Sequence, residues 1–467
     1  MAIKFLIYFI YILGVATLMV PPSRANHSTG FSRDFSSIRS LAFSPPSANK
    51  SATSSLADPS SVEISFSLPL IHQTSPLSPF YDPKKTVGEI FLENVQISGE
   101  RAQYLYLRRA QGTGTSRFQI PLTRDFVVLY SIGTPPVETF GVPDTGSDLV
   151  WLQCEPCQSC YEQTPLRFNS RESSSYKLVD CDSSKCTTGF VNKMTCDDND
   201  YCEYEVNYED GSYSRGNIAE EIMTVASTHS TSRIDVLFGC GFNNSETSGR
   251  NYPSVVGLQN TKRSLLGQIG AKAFSYCHDD KNNGAIQIGK NNARLWGRKT
   301  ALLPNSEGLY IVDFKDIMVN NKTLNMPSYV FGHEDDYPET TGVMIDSGAA
   351  ITHLHFMAFD ALLTKIIAHM NNKGKRMSRW GDLYCWDNPG GVLDPSLPEI
   401  RFVFVDLALR LGPNAWRQKE QDSCLMITRY PHQLTIIGRY QLRNINLGFD
   451  LENMKLWIDI QKPDCRP

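Results

Sequence analysis

Apolar and polar positions alternate in short runs along most of the chain. From Phe126 onward the runs FVVLYSIG (126–133), DLVWLQC (148–154), EYEVNY (203–208), IAEEIMTV (218–225), DVLFGCG (235–241), GAIQIG (284–289) and KLWIDI (455–460) are separated by turns rich in Gly, Pro, Asn and Asp. That is the pattern of many short strands. Apolar spacing of three and four, the helical period, appears from roughly Val87 to Arg109 and again in FMAFDALLTKIIAHM, Phe356 to Met370. The elements predicted are therefore mostly strands, and the fold class is mainly β. Residues 26–60 are rich in Ser, Ala and Pro without apolar pattern and read as disordered. Lys4, the apolar run Phe5 to Val20, Pro21-Pro22 and the small-residue site Ser23-Arg24-Ala25 predict a cleaved signal peptide, residues 1–25. A run of sixteen is short of the ~20 residues that span a bilayer, and no later segment is apolar enough to do so.

Composition narrows the picture. The chain has 467 residues, with 45 Lys+Arg against 49 Asp+Glu, so no basic excess points to nucleic acid. With a signal peptide, the 12 cysteines read as disulfides. Cys154, Cys157 and Cys160 have C-x2-C-x2-C spacing, which could suggest zinc. A structural zinc site takes four ligands, and no histidine lies close by in sequence, so no metal is expected. Asn26, Asn49, Asn243 and Asn321 open Asn-x-Ser/Thr triplets compatible with glycosylation. Five arginines (101, 108, 109, 117 and 124) fall between Arg101 and Arg124 with no acid among them. They form either a solvated face or a segment that covers an acidic cleft.

A weak internal repeat carries the candidate chemistry. DTGS at Asp144 is followed after 113 residues by VVG ending at Gly257, and DSGA at Asp346 is followed after 92 by IIG ending at Gly438. The difference is close to the length of the cysteine-dense insert 181–202, so the two halves look like a duplicated lobe. A lone Asp-Thr-Gly is usually a turn; two at matching positions are a different case. Peptide hydrolysis needs a base to activate water and an acid to protonate the departing nitrogen. Two carboxylates about 3 Å apart repel by roughly 5–6 kcal/mol at an effective dielectric of about 20. Such a pair holds one shared proton over a broad acidic range, and its titration belongs to the pair. Small residues after each Asp let the loops meet face to face, and Thr145 and Ser347 can bond across between them.

The sequence resembles the pepsin-type aspartic proteases, specifically the plant nepenthesin-like branch, from about Ser65 to Cys465. The resemblance rests on YSIGTPP, DTGSDLVWLQCEPC, NYEDGSYSRGNIAEE, VMIDSGAAITHL, TIIGRYQLRNINLGFD and PLIHQTSPLSPFYDP. It implies a bilobal fold with the active-site cleft between two β lobes: a pro-segment 26–118, an N-terminal lobe 119–300 and a C-terminal lobe 301–467. It implies catalytic roles for Asp144 and Asp346, supported by Thr145, Gly146, Ser147, Ser347 and Gly348. Tyr208 matches the tyrosine of a flap hairpin, and Trp151 the indole that supports it; without the resemblance both read as core aromatics. The resemblance further implies the bridges Cys154–Cys157, Cys160–Cys240, Cys181–Cys202, Cys186–Cys196, Cys277–Cys465 and Cys385–Cys424, a connectivity that spacing alone leaves open. The implied protein is a secreted, monomeric zymogen that uses no cofactor, takes protein or peptide substrates, and binds pepstatin-type inhibitors. It would work in the apoplast, with the vacuole as the alternative.

Three positions depart from the family pattern. Pro143 precedes Asp144 without an N–H to donate. Ala349 stands where a hydroxyl would meet the second carboxylate. Gln259 replaces the glycine of VVGLG. They keep open a second reading, a catalytically weak or inactive homologue that binds proteins or peptides in the same cleft. A serine hydrolase is disfavoured, as there is no G-x-S-x-G elbow. His353 and His355 share one face of a strand and are read as ordinary histidines rather than metal ligands.

Overall fold

The computed structural model describes residues 64–111, 122–187, 194–207, 213–226, 231–245, 251–332, 342–390, 392–461 and 463–466. All belong to one compact unit, Ser36–Pro467. The expected signal peptide, the stretch 26–60, Asn26, Asn49 and Tyr208 lie outside the described residues. Among those described, no helix is long and apolar enough to cross a membrane.

The internal repeat becomes the same strand pattern made twice. Val137–Asp144 runs parallel to Ser254–Gly257, placing Asp144 opposite Gly257. Gly342–Asp346 runs parallel to Leu434–Gly438, placing Asp346 opposite Gly438. The strand after each aspartate also repeats. Trp151–Glu155 pairs antiparallel with the first partner, Trp151 facing Val255; Thr352–His355 pairs antiparallel with the second, His353 facing Ile436. Both aliphatic partner strands are wholly buried, as expected of strands covered on both faces.

Between the halves lies a sheet to which both contribute. Ala273–His278 pairs with Gly284–Ile288 on one side and with Ile445–Asp450 on the other. Lys455–Asp459 and Arg298–Leu303 follow outward. Phe66–His72 completes it from the N-terminal segment. Its first half pairs with Gly284–Ile288 and its second half with Phe126–Ile132, and Phe66, Leu68 and Leu70 are buried. The first half of the chain also carries the long hairpin Tyr213–Ala226 with Thr231–Ser245. Gly216 is required there, because a Cβ would lie 1.9 Å from the Cys240 carbonyl oxygen.

Two helices of some length match the periodicity. Phe356–Asn372 is capped by His355, whose Nδ1 accepts the Met357 N–H. Val87–Gln111, here α1, starts with a capping box. Glu89 N–H donates to Thr86 Oγ1 at 3.2 Å, and Thr86 N–H to Glu89 Oε2 at 2.8 Å. The buried stripe of α1 carries polar groups among its apolar ones: Asn94, Ser98 and Arg101 are essentially inaccessible, beside Phe91, Val95, Ala102 and Leu105. Polar groups in such a place need partners, and each has them. Asn94 donates to Gln73 and Asp125; the partners of Ser98 and Arg101 lie in the site below.

All twelve cysteines are bridged, but four pairings differ from those the resemblance implies. The bridges are Cys154–Cys240, Cys157–Cys160, Cys181–Cys196 and Cys186–Cys202, with Cys277–Cys465 and Cys385–Cys424 as implied. Burial sorts them. Cys154 and Cys240 are both buried, on strands that run side by side, while Cys157 and Cys160 are both partly exposed on the loop beyond. Within the insert, buried Cys186 takes buried Cys202, and the accessible Cys181 and Cys196 take each other. Closing a span of 86 residues restricts the unfolded chain far more than closing one of 3. Removing Cys154–Cys240 by paired alanines should therefore cost about 3 kcal/mol more than removing Cys157–Cys160. Denaturant midpoints of the two double variants check this; equal losses would contradict it.

Candidate active site

Asp144 and Asp346 end equivalent strands, and the structure brings their loops together. Thr145 N–H donates to Ser347 Oγ at 3.2 Å, and Ser347 N–H to Thr145 Oγ1 at 3.0 Å. Thr145 Oγ1 also lies 3.4 Å from Asp346 Oδ1. Each inner carboxylate oxygen accepts a backbone N–H two residues on: Gly146 to Asp144 Oδ1 at 2.9 Å, and Gly348 to Asp346 Oδ1 at 3.0 Å. Both aspartates are fully buried.

The two halves differ at the outer oxygen. Asp144 Oδ2 accepts the hydroxyl of Ser147, three residues on. The equivalent position after Asp346 is Ala349, which is buried and has no hydroxyl to offer. In its stead Arg101 of α1 donates Nε to Asp346 Oδ2 at 2.5 Å. The same guanidinium donates Nη2 to Asp346 Oδ1 at 2.8 Å and to Asp144 Oδ1. Arg101 is wholly buried. Burial by itself would lower its pKa, but the fields of Asp144 and Asp346 outweigh that and raise it well above the ordinary value. The ion thus stays charged at every relevant pH. The glycines of the two motifs make room for it: a Cβ on Gly348 would sit 2.4 Å from Arg101 Cζ, and one on Gly146 2.5 Å from Nη2. The arginine run is visible in the sequence, but which arginine enters is not. The signal is the i, i+4, i+7 polar stripe Asn94, Ser98, Arg101 in an otherwise amphipathic helix.

Pro143 has a local explanation. In a parallel pair alternate residues turn their N–H toward the partner. Asp144 faces Ser254–Gly257 and its carbonyl accepts from Leu258 N at 2.8 Å. Residue 143 therefore faces the other way, toward Phe126–Ile132, whose pairing has already ended at Val128 opposite Gly141. The missing N–H costs no ladder bond, and the Pro143 carbonyl still accepts the Ser347 hydroxyl at 3.3 Å. Gln259 keeps the backbone contact to the first loop, its N–H donating to Ser147 O at 3.0 Å. Its buried side-chain amide has no hydrogen-bond partner among the described residues, a burden of about 1–3 kcal/mol.

Trp151 is buried on the strand after the first loop. Its expected partner Tyr208 is outside the described residues. Asn243 lies in the long hairpin, its Oδ1 accepting from Tyr213 OH at 2.9 Å. Asn321 is exposed on a turn with left-handed φ of 63°. His353 and His355 are buried with ordinary hydrogen-bond partners.

Two lobes built on the same motif, each presenting one buried aspartate to the other, define the pepsin-like acid protease fold. Comparison with known proteins agrees. Residues 126–290 match the family model described as xylanase inhibitor N-terminal, and residues 309–459 the one described as xylanase inhibitor C-terminal. A "probable aspartic protease" of Arabidopsis thaliana is 32% identical over 86% of this chain and 94% of its own. Aspartic proteinase nepenthesin-2 of Nepenthes gracilis is 28% identical over 71% of this chain and 76% of its own. Among solved structures, conglutin gamma, a basic 7S globulin from lupine seeds, aligns with a TM-score of 0.60 at 17% identity, over 86% of this chain and 96% of that one; this likeness bears on the fold. The chain belongs to the plant pepsin-like aspartic proteases, in the nepenthesin-like branch.

Proposed function

We propose that this chain is the zymogen of a secreted aspartic endopeptidase that hydrolyses peptide bonds at acidic pH. The observation that carries the reading is the single buried guanidinium of Arg101 joined to both Asp144 and Asp346. Once that cation leaves, the two carboxylates share a proton and hold a water between them. One takes the water's proton; the other polarises the scissile carbonyl and then protonates the departing nitrogen. No covalent intermediate and no cofactor are needed. The segment ending near residue 118 acts as the inhibitor. Its strand completes the shared sheet and its helix supplies the plug. Protonation of the carboxylates weakens their ion pairs with Arg101, so the docked state loses stability as pH falls.

Substrates are proteins or peptides, pepstatin-type inhibitors bind the same cleft, and the enzyme acts as a monomer in the apoplast or the vacuole. Exposed Asn321 is the better placed of the two described glycosylation sites. One observation favours a second reading, a cleft-binding homologue of low activity: Ala349 leaves Asp346 without the hydroxyl that Asp144 has in Ser147. The test is to express residues 26–467 under oxidising conditions, acidify, and assay casein or haemoglobin with and without pepstatin. Pepstatin-sensitive hydrolysis is expected. Its absence in properly folded protein would favour the second reading, and recovery in Ala349→Thr would locate the cause.

A further inference from the structure

The duplication places two side chains in equivalent positions, seven residues after each aspartate: Trp151 in the first half and His353 in the second. Each faces the aliphatic residue two positions before the glycine that opposes its aspartate, Val255 or Ile436. One half therefore carries a titratable ring where the other carries an indole. His353 is 3% exposed, and the N-terminal segment forms part of its cover. Its Nε2 lies 2.7 Å from Ser98 Oγ of α1, and its Cε1 is 3.9 Å from where a Cβ on Gly99 would stand. On the other side Nδ1 lies 2.9 Å from Thr428 Oγ1. Ser98 Oγ also accepts the Ala350 N–H at 3.1 Å, and Thr428 Oγ1 donates to Thr352 O at 3.4 Å. A neutral ring with its proton on Nδ1 closes this circuit: Thr428 accepts from Nδ1–H, and Ser98 donates to Nε2.

We infer that His353 is the proton sensor of the segment: docking of α1 requires its neutral ring, and its protonation releases the helix before the carboxylates give up Arg101. The inference rests on the zymogen reading. The groups that face the ring leave protonation without compensation. Asp346, from the loop before its own strand, is the acid that acts on it, and that carboxylate is already held by Arg101 of α1. Tyr430, on the strand of Thr428, packs edge-on with ring centres 6.4 Å apart. His432, just beyond, meets α1 through Gln103 Oε1 at 2.9 Å, a contact in which a protonated ring still donates. Burial pushes the His353 pKa down to about 4, with Asp346 acting weakly the other way. A depressed base in the docked state means that docking is fully supported above the ordinary value of about 6.5. That support is lost at up to about tenfold per pH unit as pH falls from 6.5 toward 4.

Pulsed hydrogen exchange on the full secreted chain tests this without any proteolysis, using pulses too short for maturation and masses that confirm an intact chain. Corrected for intrinsic rates, opening of residues 94–106 should rise about twentyfold more in wild type than in His353→Gln between pH 7 and pH 5. Equal rises would overturn the inference. Histidine-ring NMR of the wild type gives a reading independent of any variant. His353 should stay neutral at pH 5.5 in the intact chain and titrate near its ordinary value once the segment is removed. Ordinary titration in the intact chain would refute the sensor. The two readings fail separately: acid release that needs His353 but leads to no hydrolysis sinks the protease, and hydrolysis with release indifferent to His353 sinks the sensor.

Discussion

Arg101→Ala in the full chain is expected to unlock the site near neutral pH. The wild-type guanidinium is buried without access to water and joins two carboxylates that are themselves fully buried. Removing one member of a buried ionic cluster costs about 3–5 kcal/mol, because the charges left behind lose their compensation. The docked helix bears that cost and the released state does not, since Asp144 and Asp346 then meet solvent. The population of released segment should rise by roughly two to four orders of magnitude. The readout is apparent pepstatin affinity at pH 6.5, where wild type should bind poorly and the variant well. Arg101→Lys should fall between them, since a single ammonium cannot meet the two carboxylates through the fixed fork of a guanidinium. The other contacts of the helix remain in both variants. Phe91 stacks on Trp380 at 5.4 Å between ring centres, and Tyr430 OH still donates to the Ala102 carbonyl at 2.8 Å. The segment should therefore loosen rather than unfold. Unchanged pepstatin affinity in Arg101→Ala would show that the plug is not what closes the site.

Much of this was legible in the residues, for physical reasons that can be named. A strand buried on both faces must be aliphatic, and an aspartate at the end of such a strand followed by small residues must sit on a tight loop. Those constraints leave DTGS…VVG and DSGA…IIG in the sequence, and the structure turns them into equivalent parallel pairs. The helices at Val87–Gln111 and Phe356–Asn372 were visible as apolar spacing. The disulfide connectivity was not. Cys154 and Cys160 differ by six positions, as do Cys196 and Cys202, and only burial decides which of the first pair takes Cys240 and which of the second takes Cys186. Pro143 looked disruptive because a missing N–H is apparent in sequence, whereas the direction in which that N–H would point is a property of the pairing. Arg101 was one of five arginines, and its selection depends on lying one turn from Ser98 on the buried side of a helix. His353 looked ordinary because what covers it comes from Ser98, 255 positions earlier.

The two aspartates should separate when each is replaced by asparagine. For hydrolysis the expectation is symmetrical. Either variant removes half of a shared proton pair and should lower kcat by about 10²–10⁴. For segment docking the expectation is unequal. Asp346 meets the guanidinium edge-on through Nε and Nη2, while Asp144 receives Nη2 and keeps a second partner in Ser147. In Asp346→Asn an amide N–H2 takes the place of one acceptor oxygen, and the fork loses its matched edge. A charge-assisted hydrogen bond contributes about 1.5–3 kcal/mol. Opening of residues 94–106 at pH 7 should therefore be at least about tenfold greater in Asp346→Asn than in Asp144→Asn. Hydrogen exchange reads this difference without needing a working enzyme, and casein hydrolysis at acid pH reads the other. Full hydrolysis in either variant would remove that carboxylate from the dyad. Equal exchange with hydrolysis lost in both would leave the dyad standing and show that Arg101 leans on the two carboxylates alike. In that case the absent hydroxyl at Ala349 is not what draws the guanidinium toward Asp346.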